Sequence, residues 1–504
     1  MIQALEAGAD REWDLIVIGG GATGLGVAVD AASRGFRTVL LEQYDFAKGT
    51  SSRSTKLVHG GVRYLQQGNI KLVTEALHER GILRKNAPHI VKDLSFIVPN
   101  YKWWEGPYYG IGLKVYDWMA GSLGLGPSRI LSKEETLELA PTLDAEGLRG
   151  GVLYHDGQFD DARLAISLAK TAAEQGAILL NYCRVDGLLK AADKKITGVQ
   201  AKDELGGASY TLRAKAVINA TGVFTDSILR MDEPGGEPII APSQGVHIVL
   251  DAAFLPGETA ILVPHTDDGR VLFAVPWLGK IIVGTTDTPV SEVSAEPLAQ
   301  PQEIDFILQQ ISRYLTKPPG RGDIRSVFAG LRPLVKSSSK KTAELSRDHL
   351  ITVAGSGLIT IAGGKWTTYR RMAEDTVNTA IARAGLADRS CVTTHLLIHG
   401  WDGSDDLAIR KIEETDPALG EQMHERLPYT WAAIVQGARE ELCMSVEDAL
   451  SRRTRALLLD AGAAMECAPA VAALLGRELG RDAAWQRDQL EEFGRLAKGY
   501  LANA

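Results

Sequence analysis

The 504-residue sequence predicts an α/β chain in which a Rossmann-like dinucleotide unit is assembled from separated segments, an antiparallel sheet is inserted between them, and a helical region follows. Three observations predict it. A glycine fingerprint, Gly19-x-Gly21-x-x-Gly24, stands between an apolar run and a helical stretch. Further glycine turns, at Gly222 and at Gly363–Gly364, each follow another apolar run far downstream. Between Ile239 and Pro289 the pattern changes to consecutive strand-like runs with short turns.

Taken in order, Asp14–Ile18 (DLIVI) is continuous and β-branched, as a strand buried on both faces is. Gly19–Gly24 turns, Leu25–Ser33 continues as a helix, and Arg37–Leu41 is a second strand leading into Glu42, a βαβ unit of about the usual ~30 residues. Ile70–Leu83 reads as a helix. Tyr101–Trp118 is aromatic-rich and holds three of the nine tryptophans. Ala162–Gln175 reads as a helix with Asp160 or Asp161 near its N-terminus and Gly176 directly after it. Lys215–Ala220 is a short buried strand. The runs GVHIVL, TAILVP, RVLFAVPW and KIIVGTTD supply the inserted sheet. Asp348–Thr360 returns to strand character, and Gly363–Lys365 opens a helix over Thr367–Ala384. These patterns divide the chain into a cofactor domain (12–98, 155–235 and 350–390), a substrate or cap domain (99–154 and 236–349) and a helical C-terminal domain (391–504).

Composition excludes several classes. A formal charge of −8 argues against a nucleic-acid partner. Cys391–Ala504 holds 12 basic and 19 acidic residues, so the acidity belongs to the tail and the rest is nearly neutral. Cys183, Cys391, Cys443 and Cys467 form no CxxC pair, and the tail has no D-x-D-x-D-G loop, so no metal site is expected. Four scattered thiols suit a reducing cytoplasm. The start, MIQALEAGADREW, has no secretory pattern. The apolar stretches Leu15–Val29 and Leu350–Gly364 are too short to span a bilayer. The expectation is a soluble or peripheral intracellular protein.

The fingerprint carries a mechanism. Gly19 allows the tight turn, Gly21 lets the backbone approach a pyrophosphate, and Gly24 lets helix and strand pack closely. The helix N-terminus offers free N–H groups to the phosphates. Glu42, about 20 residues on, is placed for ribose hydroxyls and disfavours a 2′-phosphate. This unit alone leaves NAD and FAD open. A chain that returns to one site from residues 19, 50, 221 and 364 wraps a large, permanent cofactor, which favours FAD. Thr221 and Gly222 belong to that return, although an ordinary strand end has the same pattern.

The residues then resemble a known family, the FAD-dependent glycerol-3-phosphate dehydrogenases of the aerobic, quinone-linked type, within the amino-acid-oxidase-like flavoproteins. The resemblance rests on Ile18–Gly35, on Thr50–Leu65 (TSSRSTKLVHGGVRYL), on Ala329–Leu334 (AGLRPL) with Ser346–Asp348, and on Gly363–Ala373 (GGKWTTYRRMA). It spans roughly Asp14–Ala384, and the tail looks like the family's helical C-terminal domain. Leu25 stands where the family pattern usually has a small residue, which bears on helix packing.

The resemblance implies oxidation of sn-glycerol 3-phosphate to dihydroxyacetone phosphate by hydride transfer from C2 to flavin N5, with electrons passed to a quinone. Phosphate recognition calls for basic side chains, and Arg63, Arg332, Arg347 and Lys365 stand in or near glycine-rich turns. His59 is the candidate proton acceptor, a structural histidine being the alternative. Arg332 is expected to stabilise developing negative charge rather than take a proton. Tyr64 is expected to bond substrate or wall the pocket. Thr50, Ser51 and Ser52 are expected at the pyrophosphate or flavin, with a plain polar turn as the alternative. Gly364 and Thr367 flank Lys365, which is also a candidate for the flavin N1/C2=O edge. An oxidase producing hydrogen peroxide and a related amine or amino-acid oxidase are the competing activities. The expected setting is cytoplasmic and peripheral on the inner face of the cell membrane. Tyr101–Trp118 is a candidate interface segment, with a cap beside the flavin domain as the alternative. A homodimer through the tail stays open.

Overall fold

The computed structural model describes Leu5 and residues 12–61, 69–336 and 349–502. Two sheets organise them. In the first, the strands run in the order His349–Val353, Ile359–Gly363, Ser209–Asn219, Trp13–Ile18, Thr38–Leu41 and Ile178–Leu180. From Ile359–Gly363 across to Ile178–Leu180 every neighbour is parallel. Register does the essential work. Ile18 lies opposite Asn219 and Leu41, and Asn219 lies opposite Thr360. Three glycine turns far apart in sequence therefore leave the sheet at one carboxyl edge, where open α/β sheets bind ligands.

The helix Ala22–Ser33 crosses from the first strand to the second. Its residues from Gly24 to Ala32 are all buried, sandwiched between the helices Asp161–Glu174 and Tyr369–Ala384. The helix begins at Ala22, earlier than the expected Leu25, so Gly24 sits in its first turn. A Cβ there would overlap the Gly19 carbonyl oxygen. Leu25 is fully buried in the surrounding core. Asp160 caps the helix Asp161–Glu174 by accepting the Arg163 N–H at 3.0 Å.

The second sheet has ten strands. Its long central members are Val91–Asn100, Gly150–Phe159, Ile240–Asp251 and Ile324–Val335. Most pairings are antiparallel, as expected, but Thr259–Ile261 pairs parallel with Ser95–Ile97. The expected domain limits need correction here. Residue 98 falls inside a strand of the second sheet, and Leu57–Val58 and Gly150–Phe159 belong to that sheet as well. Residues 57–58, 91–98 and 155–159 therefore leave the cofactor sheet. Their strand pairing, invisible in local pattern, decides this.

The helical tail is not a separate body. Its apolar residues share one core with Val249, Trp277, Ile282 and Phe328 of the second sheet. It also reaches the body by buried charge: Asp45 accepts from Arg452 Nε at 2.5 Å and from Arg453 at 2.6 and 2.9 Å. Among the described residues no helix is long and apolar enough to cross a membrane.

Candidate active site

Two adjoining cavities open at the carboxyl edge of the first sheet. The smaller, about 380 Å³, is lined by Gly19, Gly21, Glu42, Ser51, Thr221 and Gly222 among others. The larger, about 670 Å³, is lined by His59, Arg270, His247, Asp287, Arg332 and Thr367 among others. They share Thr50, Pro333 and Gly363–Trp366 as a common wall.

The smaller cavity suits the nucleotide half of a dinucleotide. Gly19 has φ +108°, and a Cβ there would come within 2.7 Å of the Ala220 carbonyl oxygen. A Cβ at Gly21 would stand 3.0 Å from Ser51 Oγ, inside the space the phosphates need. Ser51 Oγ already accepts the Ala22 N–H at 2.9 Å, which fixes the loop against the helix N-terminus. Glu42 accepts Gly20 N–H at 2.6 Å and Tyr44 N–H at 2.9 Å, one on each oxygen. Burial pushes its carboxyl up, against those two N–H groups. Each oxygen keeps a lone pair for a ribose hydroxyl. An extended group with a pyrophosphate at Gly19–Ala22 and a flat ring system past Gly363–Trp366 fits this pair of cavities.

Ser52 departs from the expectation. It is buried and lines neither cavity; its carbonyl accepts Lys56 Nζ at 2.6 Å instead. Gly24 also lines neither, and acts through helix–strand packing. Replacing Gly24 by Val should therefore lower flavin retention severalfold after gel filtration, read as flavin absorbance per protein; full retention would show that the loop tolerates the side chain.

In the larger cavity Arg332 is held on four sides. It donates to Gln244 O (3.3 Å), Asp287 Oδ1 (3.1 Å), Thr285 Oγ1 (3.1 Å) and Thr286 O (2.9 Å). A Cβ at Gly245 would overlap its guanidinium, so that glycine makes the room. Ser243 Oγ donates to Asp287, and Arg270 Nη1 lies 3.6 Å from the other Asp287 oxygen. Asp287 thus lies between the two guanidiniums, and Arg270 is equally close, at 3.6 Å, to Asp268. The His59 N–H donates to Thr367 Oγ1 at 3.2 Å, which joins the HGG segment to the GGKWTT turn. Gly363 and Gly364 have φ of +76° and +77°, and Lys365 begins the turn Trp366–Thr368 that leads into the helix.

Three residues escaped sequence reasoning: Arg270, Asp287 and His247. His247 is buried, stacked on Phe328 at 4.8 Å, and bonded through Nε2 to Thr55 Oγ1 at 2.9 Å. Burial, then Arg332 and Lys56, hold its imidazole well below its usual value, so it is neutral. Its position inside the strand run GVHIVL was the available signal. Of the expected residues, Arg63, Tyr64 and Arg347 lie outside the described ones. No cluster of metal-ligating side chains occurs among the described residues.

A dinucleotide loop joined to a cationic cavity on this two-sheet framework defines a flavin-dependent oxidoreductase. The model of the FAD-dependent oxidoreductase family matches residues 14–370, and that of the C-terminal domain of alpha-glycerophosphate oxidase matches 358–486. The chain is 43% identical to the mitochondrial glycerol-3-phosphate dehydrogenase of Macaca fascicularis over 95% of its own length and 72% of that protein. It is 39% identical to the corresponding protein of Schizosaccharomyces pombe, over 97% and 87%. The solved glycerol-3-phosphate dehydrogenase of Bacillus halodurans, complexed with FAD, superposes with a TM-score of 0.80 at 29% identity, covering 99% of this chain and 97% of that one. The chain belongs to the FAD-dependent glycerol-3-phosphate dehydrogenases, and FAD is its cofactor.

Proposed function

We propose that this protein oxidises sn-glycerol 3-phosphate to dihydroxyacetone phosphate and delivers the electrons to a quinone while attached peripherally to the inner face of the cell membrane. The observation that carries the reading is the cationic cavity, with Arg270 and Arg332 on either side of Asp287, sharing a wall with the dinucleotide cavity. Bound FAD supplies the hydride acceptor.

The chain's own residues do the rest. Arg332 pairs with Asp287 and Arg270 with both Asp287 and Asp268, so the net positive charge that suits a phosphate dianion comes from Lys365 in the shared wall. Arg270 is the phosphate contact among the described residues, with Arg63 and Arg347 as further candidates. Arg332, always protonated, faces the carbinol end and stabilises charge as the C2 hydroxyl loses its proton. A ring nitrogen of His59 receives that proton. Lys365, in the shared wall, adds positive charge where the substrate meets the flavin. Neutral His247 adds no charge of its own beside Arg332.

The test is anaerobic. The purified protein should carry a flavin spectrum that bleaches on addition of sn-glycerol 3-phosphate, and a quinone should restore it. Bleaching reversed by oxygen alone, with peroxide formed, would select an oxidase; the match of the tail to the alpha-glycerophosphate oxidase domain is the observation favouring that second reading. No bleaching with any polyol phosphate would overturn both. Lys365→Ala should slow bleaching by about 10²-fold with flavin content kept, and unchanged bleaching would remove Lys365 from the reaction. His59→Asn should flatten the acid limb of the kcat/KM profile and slow turnover by about 10²-fold; an unchanged rate and profile would dismiss it as the proton acceptor.

A further inference from the structure

Three buried side chains outside the reacting groups converge on one backbone amide of the HGG turn. Tyr116 belongs to the helix Glu105–Ala120 and is 1% exposed. Its hydroxyl oxygen accepts the Gly60 N–H at 2.8 Å, and the hydroxyl donates to Asp156 Oδ2 at 2.7 Å. Asp156 sits in the strand Gly150–Phe159 and lines the larger cavity. Its other oxygen accepts Arg80 Nη1 at 2.8 Å, from the helix Ile70–Asn86, and the Gly157 N–H at 3.1 Å. Gly60 suits this arrangement: a Cβ there would come within 2.6 Å of both Leu77 and the Tyr116 hydroxyl.

Each partner has a physical reason. Burial and then Asp156 push the Tyr116 hydroxyl well above its usual pKa, so it stays protonated and donates to the carboxylate. Its one proton is thereby committed, and its oxygen is left to receive the amide. A carboxylate alone in the lining would repel a phosphate dianion; Arg80, buried beside it, offsets that charge. A buried ion pair repays its desolvation only in good geometry, and here both Asp156 oxygens are filled. The chain Arg80–Asp156–Tyr116–Gly60 thus ends at the residue after His59. The His59 N–H itself goes to Thr367 Oγ1 at 3.2 Å. Two successive amides of the turn are therefore pinned, one to Thr367 and one to Tyr116.

We infer that Tyr116, held by Asp156 and Arg80, is a positioning residue that sets the HGG turn so that the His59 ring meets the substrate carbinol. This rests on the reading of His59 as proton acceptor given above. Gly60 follows His59 directly, so a displaced Gly60 amide displaces the ring. Misplacement by about 1 Å, even from a change far from the chemistry, costs up to about 10²-fold in rate. Arg270, Arg332 and Lys365 stand on other segments of the chain, so substrate binding should change little.

Tyr116→Phe removes the hydroxyl and keeps the ring. The purified holoenzyme should keep its flavin content and absorption spectrum. In anaerobic rapid mixing, flavin bleaching at saturating sn-glycerol 3-phosphate should slow by about tenfold. The half-saturating concentration should change by less than about twofold. Asp156→Asn should act in the same sense: its amide oxygen stays with Arg80, and its N–H2 group competes with Gly60 for the Tyr116 oxygen. That variant decides the matter if Tyr116→Phe does not yield holoenzyme. The double variant Tyr116→Phe/His59→Asn should bleach no more slowly than His59→Asn alone, because a residue that acts through His59 then has nothing to position. Wild-type bleaching in Tyr116→Phe or, failing that protein, in Asp156→Asn, with only a lowered melting temperature, would overturn the inference and leave His59 standing. So would losses that multiply in the double variant, or a loss confined to the half-saturating concentration. An unchanged rate in His59→Asn would instead sink the proton-acceptor reading, and the positioning role with it.

Discussion

Replacing Arg332 by Ala should lower kcat/KM for sn-glycerol 3-phosphate by about 10³-fold while flavin content and circular dichroism stay as in the wild type. The magnitude follows from what a preorganised cationic donor contributes when aimed at developing negative charge, about 3–4 kcal/mol at the transition state. Preorganisation is visible in this chain: Gln244, Thr285, Thr286 and Asp287 fix the guanidinium, and Gly245 leaves it room. Arg332→Lys should recover little, because an ammonium keeps the charge but cannot make the forked contacts to Asp287, Thr285 and Thr286. Rapid-mixing measurement of anaerobic flavin bleaching isolates the step. A loss smaller than about tenfold would show that Arg332 orders the cavity without serving the reaction. Arg270→Gln offers a contrast. As a phosphate contact away from the carbinol, it should raise KM by about tenfold or more and change kcat less. Equal losses in kcat from both variants would merge their roles.

What could be read from sequence was whatever lies within one strand–turn–helix segment. Gly19, Gly21, Gly24 and Glu42 form such a segment, and so do Thr221–Gly222 and Gly363–Lys365; each shows an apolar run stopped by glycine, which is local information. Their convergence was inferred from the number of returns, and the register of Ile18, Asn219 and Thr360 supplies the physical reason. The inserted sheet was legible for the same reason, since its hairpins are contiguous. Arg270, Asp287 and His247 were not legible as a group. They come from different strands and turns, and only the pairing of Ile240–Asp251 with Ile324–Val335 and Lys280–Gly284 brings them to Arg332. The boundary at residue 98 failed likewise, because a half-buried strand pattern does not say which sheet will accept it. Ser52 shows the opposite case: it sits in a suggestive motif, yet it is buried and lines neither cavity, and its carbonyl accepts Lys56 Nζ.

The arginines of the tail were the largest omission, and the largest stability effect is expected there. Asp45→Ala should destabilise the protein by about 3–5 kcal/mol, the usual cost of removing one partner from a buried ionic cluster. Asp45 lies fully buried between Arg452 and Arg453, which are buried as well. Burial alone would push its carboxyl up, but Arg453 and Arg452 outweigh that and hold it at about 2. The sign of the pH dependence follows. A carboxyl with a native pKa below its unfolded value of about 3.9 contributes stability that is present above pH ~4 and lost as pH falls toward the native value. The wild type should therefore lose apparent melting temperature between pH ~4 and ~2, and Asp45→Asn should lack that component of the loss. The effect should reach the cofactor. Asp45 begins the loop that carries Ala47, Lys48 and Gly49 into the wall of the smaller cavity, three residues beyond Glu42. Lys48 in turn pairs with Glu447 of the tail. The tail thus grips the loop that follows the strand Thr38–Leu41 and Glu42, and loosening the grip should speed flavin release as well as unfolding. Fluorescence of released FAD on dilution, measured beside the melting curve, separates the two. If Asp45→Ala melts with the wild type at neutral pH, desolvation of the cluster cancels its Coulombic gain. If it melts early but releases flavin at the wild-type rate, the tail stabilises the fold without clamping the cofactor.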